Sequence, residues 1–180
     1  MEDQPGEINP DHMIGVFGSG QAEPQGQQWR LAYDVGKTLA ELGYAIANGG
    51  YGGTMEASAK GAVEAGGGVV GVTCKAWKSQ ANKYVSRTVV TAHLPERIAT
   101  LIKLGRAGYV VLPGATGTLA ELAWVWEMCF KGFISARPIV CMGQFWRPLV
   151  DMMSEIRPSG AEFVALAGGP EELAGHFPAV

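Results

Sequence analysis

Charge is scarce in this chain. Of its 180 residues only 17% are Asp, Glu, Lys or Arg, against about a quarter in an ordinary globular domain, and the formal net charge is −3. Nothing therefore draws the whole molecule toward nucleic acid or an acidic membrane, and any site for an anion has to be local. Cysteine is scarce too. Cys74, Cys129 and Cys141 are far apart, odd in number and in no metal-ligand spacing. That excludes a disulfide framework and reads as reduced thiols, at least two of them core filler, in a cytoplasmic protein with no metal site. No apolar run approaches the length of a membrane span, and the acidic start Met1 to Glu7 is unlike a signal peptide. Residues 1–11 are expected to form a flexible tail and residues 12–180 a single domain, because the length is too short for two of ordinary size.

What the chain has in quantity is glycine, 26 residues of it, and short apolar runs alternating with helical patterns. Residues 13–17, 44–47, 69–72, 88–91, 109–112 and 138–142 read as buried strands, and 162–164 as a last edge strand. Between them, Trp29, Leu31, Ala32, Val35, Leu39 and Leu42 recur at helical spacing and Gly43 is placed to end that helix. Further helices are expected over 54–63, from Pro95 through Leu104, over 145–156 and from about Pro170. The polar stretch 74–87, with Lys75, Lys78, Lys83 and Arg87, reads as a loop or lid over the strand ends. Its basic residues are most simply solvated surface. Strands alternating with helices imply an α/β fold, a doubly wound parallel sheet of about six or seven strands with helices on both faces. Ligands of such sheets bind outside the carboxyl ends of the strands.

Three glycine loops fall on that one rim. Gly18-Ser19-Gly20 follows the first strand and is not the dinucleotide fingerprint, because Glu23 stands where its third glycine would be. Asn48-Gly49-Gly50-Tyr51-Gly52-Gly53 follows the second and runs straight into a helix carrying Glu56. Pro113-Gly114-Ala115-Thr116-Gly117-Thr118-Leu119-Ala120-Glu121 follows the fifth. There Gly114 and Gly117 allow a sharp turn and close approach, and the first-turn N–H groups of the next helix favour a phosphate. Glu121 sits awkwardly beside a phosphate unless the two address different parts of one ligand. A blander account makes Thr118 an N-cap and Glu121 its capping-box partner; convergence of the three loops argues for a ligand instead. In the helix that follows, Leu119, Leu122, Trp126, Cys129 and Phe130 make one apolar stripe, while Trp124, Val125 and Met128 lie on another side. Such a helix is buried on more than one face, by a second subunit of a homodimer or larger homo-oligomer, or else within one monomer.

On these residues the chain resembles the LOG family (Lonely Guy-type proteins), long labelled lysine decarboxylases, over roughly residues 13–156. The stretch 113–121 is similar to the family's PGGxGTxxE motif, 49–56 to its second glycine loop, and Leu94-Pro95-Glu96-Arg97 to its arginine-bearing motif. The resemblance implies a Rossmann-like dimer that binds nucleoside 5′-monophosphates. It also implies a phosphoribohydrolase, which cuts the N-glycosidic bond to give free base and ribose 5-phosphate; cytokinin nucleotides are among the family's substrates. No cofactor is implied, and no pyridoxal-phosphate lysine motif supports the decarboxylase label.

In that scheme Glu121 and Arg97 are the catalytic pair. The carboxylate stabilises or attacks the oxocarbenium-like C1′, and the guanidinium orients Glu121 or the phosphate. Gly114, Ala115, Thr116, Gly117 and Thr118 hold the phosphate, and Glu56 holds the ribose hydroxyls. Gly18, Ser19, Gly20, Asn48 and Gly49 line the base side, with Gly50, Gly52 and Gly53 completing the second loop. His93 is a candidate acid for the leaving base or a structural residue. Two departures matter. Ala115 replaces the motif's second glycine, at a cost of about 1 kcal/mol if φ must be positive there, and Ile98 follows Arg97 where the family has lysine. The alternative is a non-catalytic binder, a nucleotide sensor or a molybdenum-cofactor carrier of similar fold, which needs the glycine loops but not the carboxylate. A third option is an interaction protein whose loops are only structural.

Overall fold

The structure, a computed structural model, describes residues 8–180; most of the expected tail lies outside the described residues. A 3₁₀ turn, Pro10–His12, leads into the sheet. Seven strands follow, β1 (Met13–Phe17), β2 (Ala45–Asn48), β3 (Val69–Cys74), β4 (Arg87–Thr91), β5 (Gly108–Val111), β6 (Ile139–Met142) and β7 (Val164–Ala167). The helices between them are α1 (Gln27–Glu41), α2 (Thr54–Glu64), α3 (Leu94–Leu104), α4 (Thr116–Phe130), α5 (Arg147–Ile156), the single turn α6 (Pro158–Ala161) and, after a 3₁₀ turn at Pro170–Glu172, α7 (Leu173–His176).

Every strand pairing among the described residues is parallel, and the strands lie in the order β4-β3-β2-β1-β5-β6-β7. Alternation along the central strands splits the core in two. Ile14 and Val16 of β1 face α1 and α2, where they meet Val35, Leu39 and Ala57. Phe17 of β1, with Tyr109 and Val111 of β5, faces α3 and α4, where they meet Ile98, Leu101, Leu122 and Val125. Because both faces are covered, the central strands are buried at every position, which is why they read as unbroken apolar runs.

The chain winds outward from β1 to β4, returns through α3 to β5 on the other side of β1, and winds outward again. The direction therefore reverses between β1 and β5, and the splayed loops at their carboxyl ends leave a crevice there.

Two elements depart from the expected pattern. The last strand pairs Val164 to Ala167 with Ile139 to Met142, two residues later than expected at its start, since Glu162 and Phe163 turn out of α6. In α4 the core face is Thr118, Glu121, Leu122, Val125 and Cys129. Val125 thus belongs with the core, while Leu119, placed in the expected stripe, is 37% exposed, and Trp124 on the opposite flank is 38% exposed. The helix is apolar all round, but only one face of it packs on its own sheet.

Candidate functional site

The loops after β1, β2, β3 and β5 surround a cavity of about 230 Å³ at the switch crevice, lined by Gly18, Ser19, Gly20, Gln21, Tyr51, Met55, Trp77, Arg97, Ala115, Gly117, Thr118 and Glu121. Larger spaces exist. One of about 520 Å³ lies at the feet of β6 and β7, and an apolar one of about 290 Å³ lies between α4 and α5. Neither holds the glycine loops. The functional candidate is the smaller cavity because the sequence concentrates its chemistry there, as the switch-point rule expects.

Its floor is built around Arg97. Pro95 opens α3 and sets the guanidinium two residues on, 6% exposed, under the rim. Nε donates to Val72 O at 2.8 Å, Nη2 donates to Gly49 O at 3.2 Å, and Nη1 lies 3.6 Å from Glu121 Oε1. One side chain thereby ties β3, the second glycine loop and α4 together. Arg97 thus addresses Glu121, and two of its three nitrogens are committed to backbone carbonyls. Burial lowers the Arg97 pKa, opposed by Glu121, yet an arginine stays charged. Burial pushes the Glu121 carboxyl up to about 7, against the pull of Arg97. At neutral pH this carboxyl is therefore close to half protonated.

The far wall is the start of α4. Ala115 is the N-cap, with φ −93° and ψ −159°, and no side chain caps the helix. The capping-box account fails on this point. Thr118 is at the third helical position rather than the cap, and Glu121, a turn further on, faces the guanidinium. The first-turn N–H groups are open to a ligand instead, with the dipole behind them. Extended backbone at Ala115 also removes the expected penalty, because alanine adopts it freely.

The second glycine loop behaves differently from expectation. Asn48 is fully buried, donating from Nδ2 to Met55 O and Ser58 Oγ and accepting from Gly50 N–H at Oδ1. Both its donors are spent within the protein and the side chain is fully buried, out of a ligand's reach. A side chain at Gly49 would collide with Arg97 and Met55, and Gly53 has φ +66° hard against the backbone of Ser19 and Gly20. Asn48, Gly49, Gly50, Gly52, Gly53 and Glu56 do not line the cavity, nor do Gly114 and Thr116. Asn48, Gly49 and Gly53 instead pack the loop against α2, Arg97 and the first glycine loop. His93 caps α3 on the exposed surface 4.0 Å from Glu96, away from the cavity.

Four lining residues, Gln21, Tyr51, Met55 and Trp77, escaped the sequence reading. Tyr51 stood inside the glycine loop and Trp77 inside the expected lid, both in plain view, but only the strand order brings them to Arg97. The Arg97 Cζ lies 5.7 Å from the Tyr51 ring centroid and 5.1 Å from that of Trp77. Among the described residues there is no cluster of three or more His, Cys, Asp or Glu side chains able to hold a metal ion, and no helix is long and apolar enough to cross a membrane. The three cysteines are free and buried.

A parallel α/β sheet with its switch crevice between β1 and β5 defines a Rossmann-like protein. A model of the SLOG cluster4 family (LDcluster4) matches residues 11–156, and the chain belongs to that family. This agrees with the LOG-type resemblance at the level of a LOG/SLOG Rossmann-like family. An uncharacterised protein of Archaeoglobus fulgidus is 36% identical over 110 residues, 61% of this chain and 70% of that one. Among solved structures, the molybdenum cofactor binding protein from Rippkaea orientalis superposes with a TM-score of 0.74 at 23% identity, covering 91% of this chain and 93% of that one. The molybdenum cofactor carrier protein from Chlamydomonas reinhardtii gives a TM-score of 0.71 at 24% identity over the same shares. At these identities the likeness is one of fold.

Proposed function

We propose that this chain is a small-molecule binding protein of the carrier or sensor type, whose ligand carries a phosphate and a planar heterocycle, either a nucleoside monophosphate or a phosphorylated pterin. The observation that carries this reading is the uncapped N-terminus of α4 opening into the switch crevice beside Gly18 to Gly20, an anion site built from backbone. The lone cavity carboxyl, Glu121, is held by Arg97 and buried, which suits a positioned structural group better than one that must reach a sugar carbon. Solved neighbours named for the molybdenum cofactor fit a pterin-type cargo, and residues 115–118 with Tyr51 and Trp77 suit its phosphate and its ring.

The phosphoribohydrolase reading keeps one specific observation, the Arg97–Glu121 pair itself. With the Glu121 carboxyl near 7, such an enzyme would have its stabilising carboxylate only about half ionised at neutral pH, and its rate would rise with pH through that value. The deciding experiment incubates the purified chain with AMP, GMP, CMP, UMP, a cytokinin monophosphate and a pterin monophosphate, measuring calorimetric binding and chromatographic release of free base together. Binding without base release is the expected result. Base release abolished in Glu121→Gln would replace it with the hydrolase.

We also infer a homodimer or larger homo-oligomer, formed on the outer side of α4, where Leu119 and Trp124 are exposed on opposite flanks, Leu119 at a groove with Ala123, Trp126, Phe130 and Met153 and Trp124 at one with Ile102, Met128 and Ile134. Light scattering of the wild type and of Trp124→Glu tests it; a monomeric wild type would overturn it. Buried free thiols fit the reducing cytoplasm as the compartment.

A further inference from the structure

The connection from β3 to β4 is unusual for parallel neighbours, which are ordinarily joined by a helix. Here residues 75–86 make the crossing without one. The loop is pinned at its second half, where Asn82 donates from Nδ2 to Gly50 O and Tyr51 O and from its backbone to Gly50 O. Its first half carries Lys75, Lys78, Ser79 and Gln80, all exposed. One large apolar side chain interrupts that polar run. Trp77 turns back over the cavity, with its ring centroid 5.6 Å from that of Tyr51 at 63° and 5.1 Å from Arg97 Cζ. A tryptophan whose task was only to cover Arg97 would be buried; this one stays 43% exposed at the cavity mouth.

The strand order fixes what else shares that mouth. Trp77 follows β3 and the open start of α4 follows β5, and the order β3-β2-β1-β5 places them three strand spacings apart, about 14 Å at roughly 4.8 Å each. Tyr51 and Ser19 stand between them, one on each intervening loop. The indole leans back across part of that distance toward Arg97, which itself meets Glu121 of α4, and the gap that remains suits a molecule with a phosphate at one end, a short linker, and a flat ring at the other.

Resting on the binding function proposed above, we propose that Trp77, backed by Tyr51, is the stacking platform for the bicyclic heterocycle, purine or pterin, of a ligand whose phosphate sits at the start of α4. Tyr51 holds the platform in place. Its hydroxyl accepts from Cys74 N–H at 2.8 Å, fixing the phenol against the end of β3. The electron-rich indole suits a flat heterocycle stacked on the part of the ring that Arg97 leaves exposed. The lid's lysines make the mouth attractive to the anion without binding it at a fixed point.

The test uses the full chain and four probes: AMP, GMP, a pterin monophosphate, and ribose 5-phosphate as the probe without a ring. Calorimetry on the wild type, Trp77→Ala and Trp77→Phe, each checked by thermal melting, separates the outcomes. Trp77→Ala should weaken every heterocyclic probe that the wild type binds by roughly ten- to a hundred-fold, the usual worth of a base stacked on an aromatic ring, and leave ribose 5-phosphate unchanged. Trp77→Phe should retain most of the affinity. Purine and pterin probes report which ring the platform takes. Equal weakening of ribose 5-phosphate would show that the indole only props Arg97, and no change in any probe would show that it is surface; either overturns the proposal. If the wild type binds ribose 5-phosphate and no heterocyclic probe more tightly, the platform falls while the phosphate site stands. If it binds none of the four, the site itself falls, and the platform with it.

Discussion

The two long glycine loops look alike in sequence and do opposite things. In 48–53 the protein itself consumes three of the four glycines, Gly49, Gly50 and Gly53. Gly49 makes room for Arg97, Gly53 takes a backbone conformation closed to side chains, and Asn48 spends its amide on α2 and on Gly50. In 113–118 the glycine at 117 meets no atom within 4 Å where a side chain would project, and no side chain caps the helix behind it. One loop holds and the other presents. Glycine richness marks close approach of backbone to something, and only the fold says whether that something is the protein or a ligand.

The comparison breaks if 48–53 tolerates side chains. Gly53→Ala combines a disfavoured φ of +66° with a collision against Ser19 and Gly20 backbone, and should cost roughly 2–5 kcal/mol in urea unfolding. A loss below about 1 kcal/mol would mean that the loop is soft after all.

Arg97 and Glu121 couple the two loops, and pH reads that coupling. The Glu121 carboxyl is at about 7 in the folded chain against an ordinary value of 4.5. Between those values the folded state holds a proton that the unfolded state releases, so this group's contribution is fully present below pH 4.5 and is lost as pH rises through 7. The loss is on the order of 3 kcal/mol. Glu121→Gln should flatten that fall. The other titrating groups are common to both proteins, so the difference between the two stability–pH curves isolates this carboxyl. Parallel curves would show that the Glu121 carboxyl titrates in the fold as it does in the unfolded chain.

The presenting loop is tested by Gly117→Ala. Alanine is free of collisions there, so stability should hold or rise by at most about 1 kcal/mol. A methyl on the open face should nevertheless weaken a phosphate-bearing ligand about tenfold or more, by keeping the anion off the first-turn N–H groups. Unchanged affinity in calorimetry would move the phosphate elsewhere.

The sheet was legible because its central strands are buried on both faces and so appear as unbroken apolar runs; β1 was read to the residue. Arg97 and Glu121 were legible through the LOG-type motifs they resemble, and Glu121 also through its place just after a glycine loop at a strand end. The faces of α4 were not, since its sequence is apolar on every side and carries no period to mark the core. Asn48 misled because its partner, the Ser58 hydroxyl, lies ten residues away on α2, beyond any local pattern. Trp77 and Tyr51 are aromatics in loops, and nothing short of the strand order places them over Arg97.

The smallest effect bears on the one residue where the presenting loop departs from the LOG-type motif it resembles. Ala115 stands in place of a glycine, yet at φ −93° it occupies backbone that any residue adopts. Restoring glycine therefore gives the folded state nothing and gives the unfolded chain more freedom, so Ala115→Gly should lower stability by about 0.4–1 kcal/mol. Ligand affinity should stay the same, because the N–H groups that present to the anion belong to residues further into α4. A gain in stability would mean that the loop is strained around Ala115, and that it presents its backbone at a cost the geometry does not reveal.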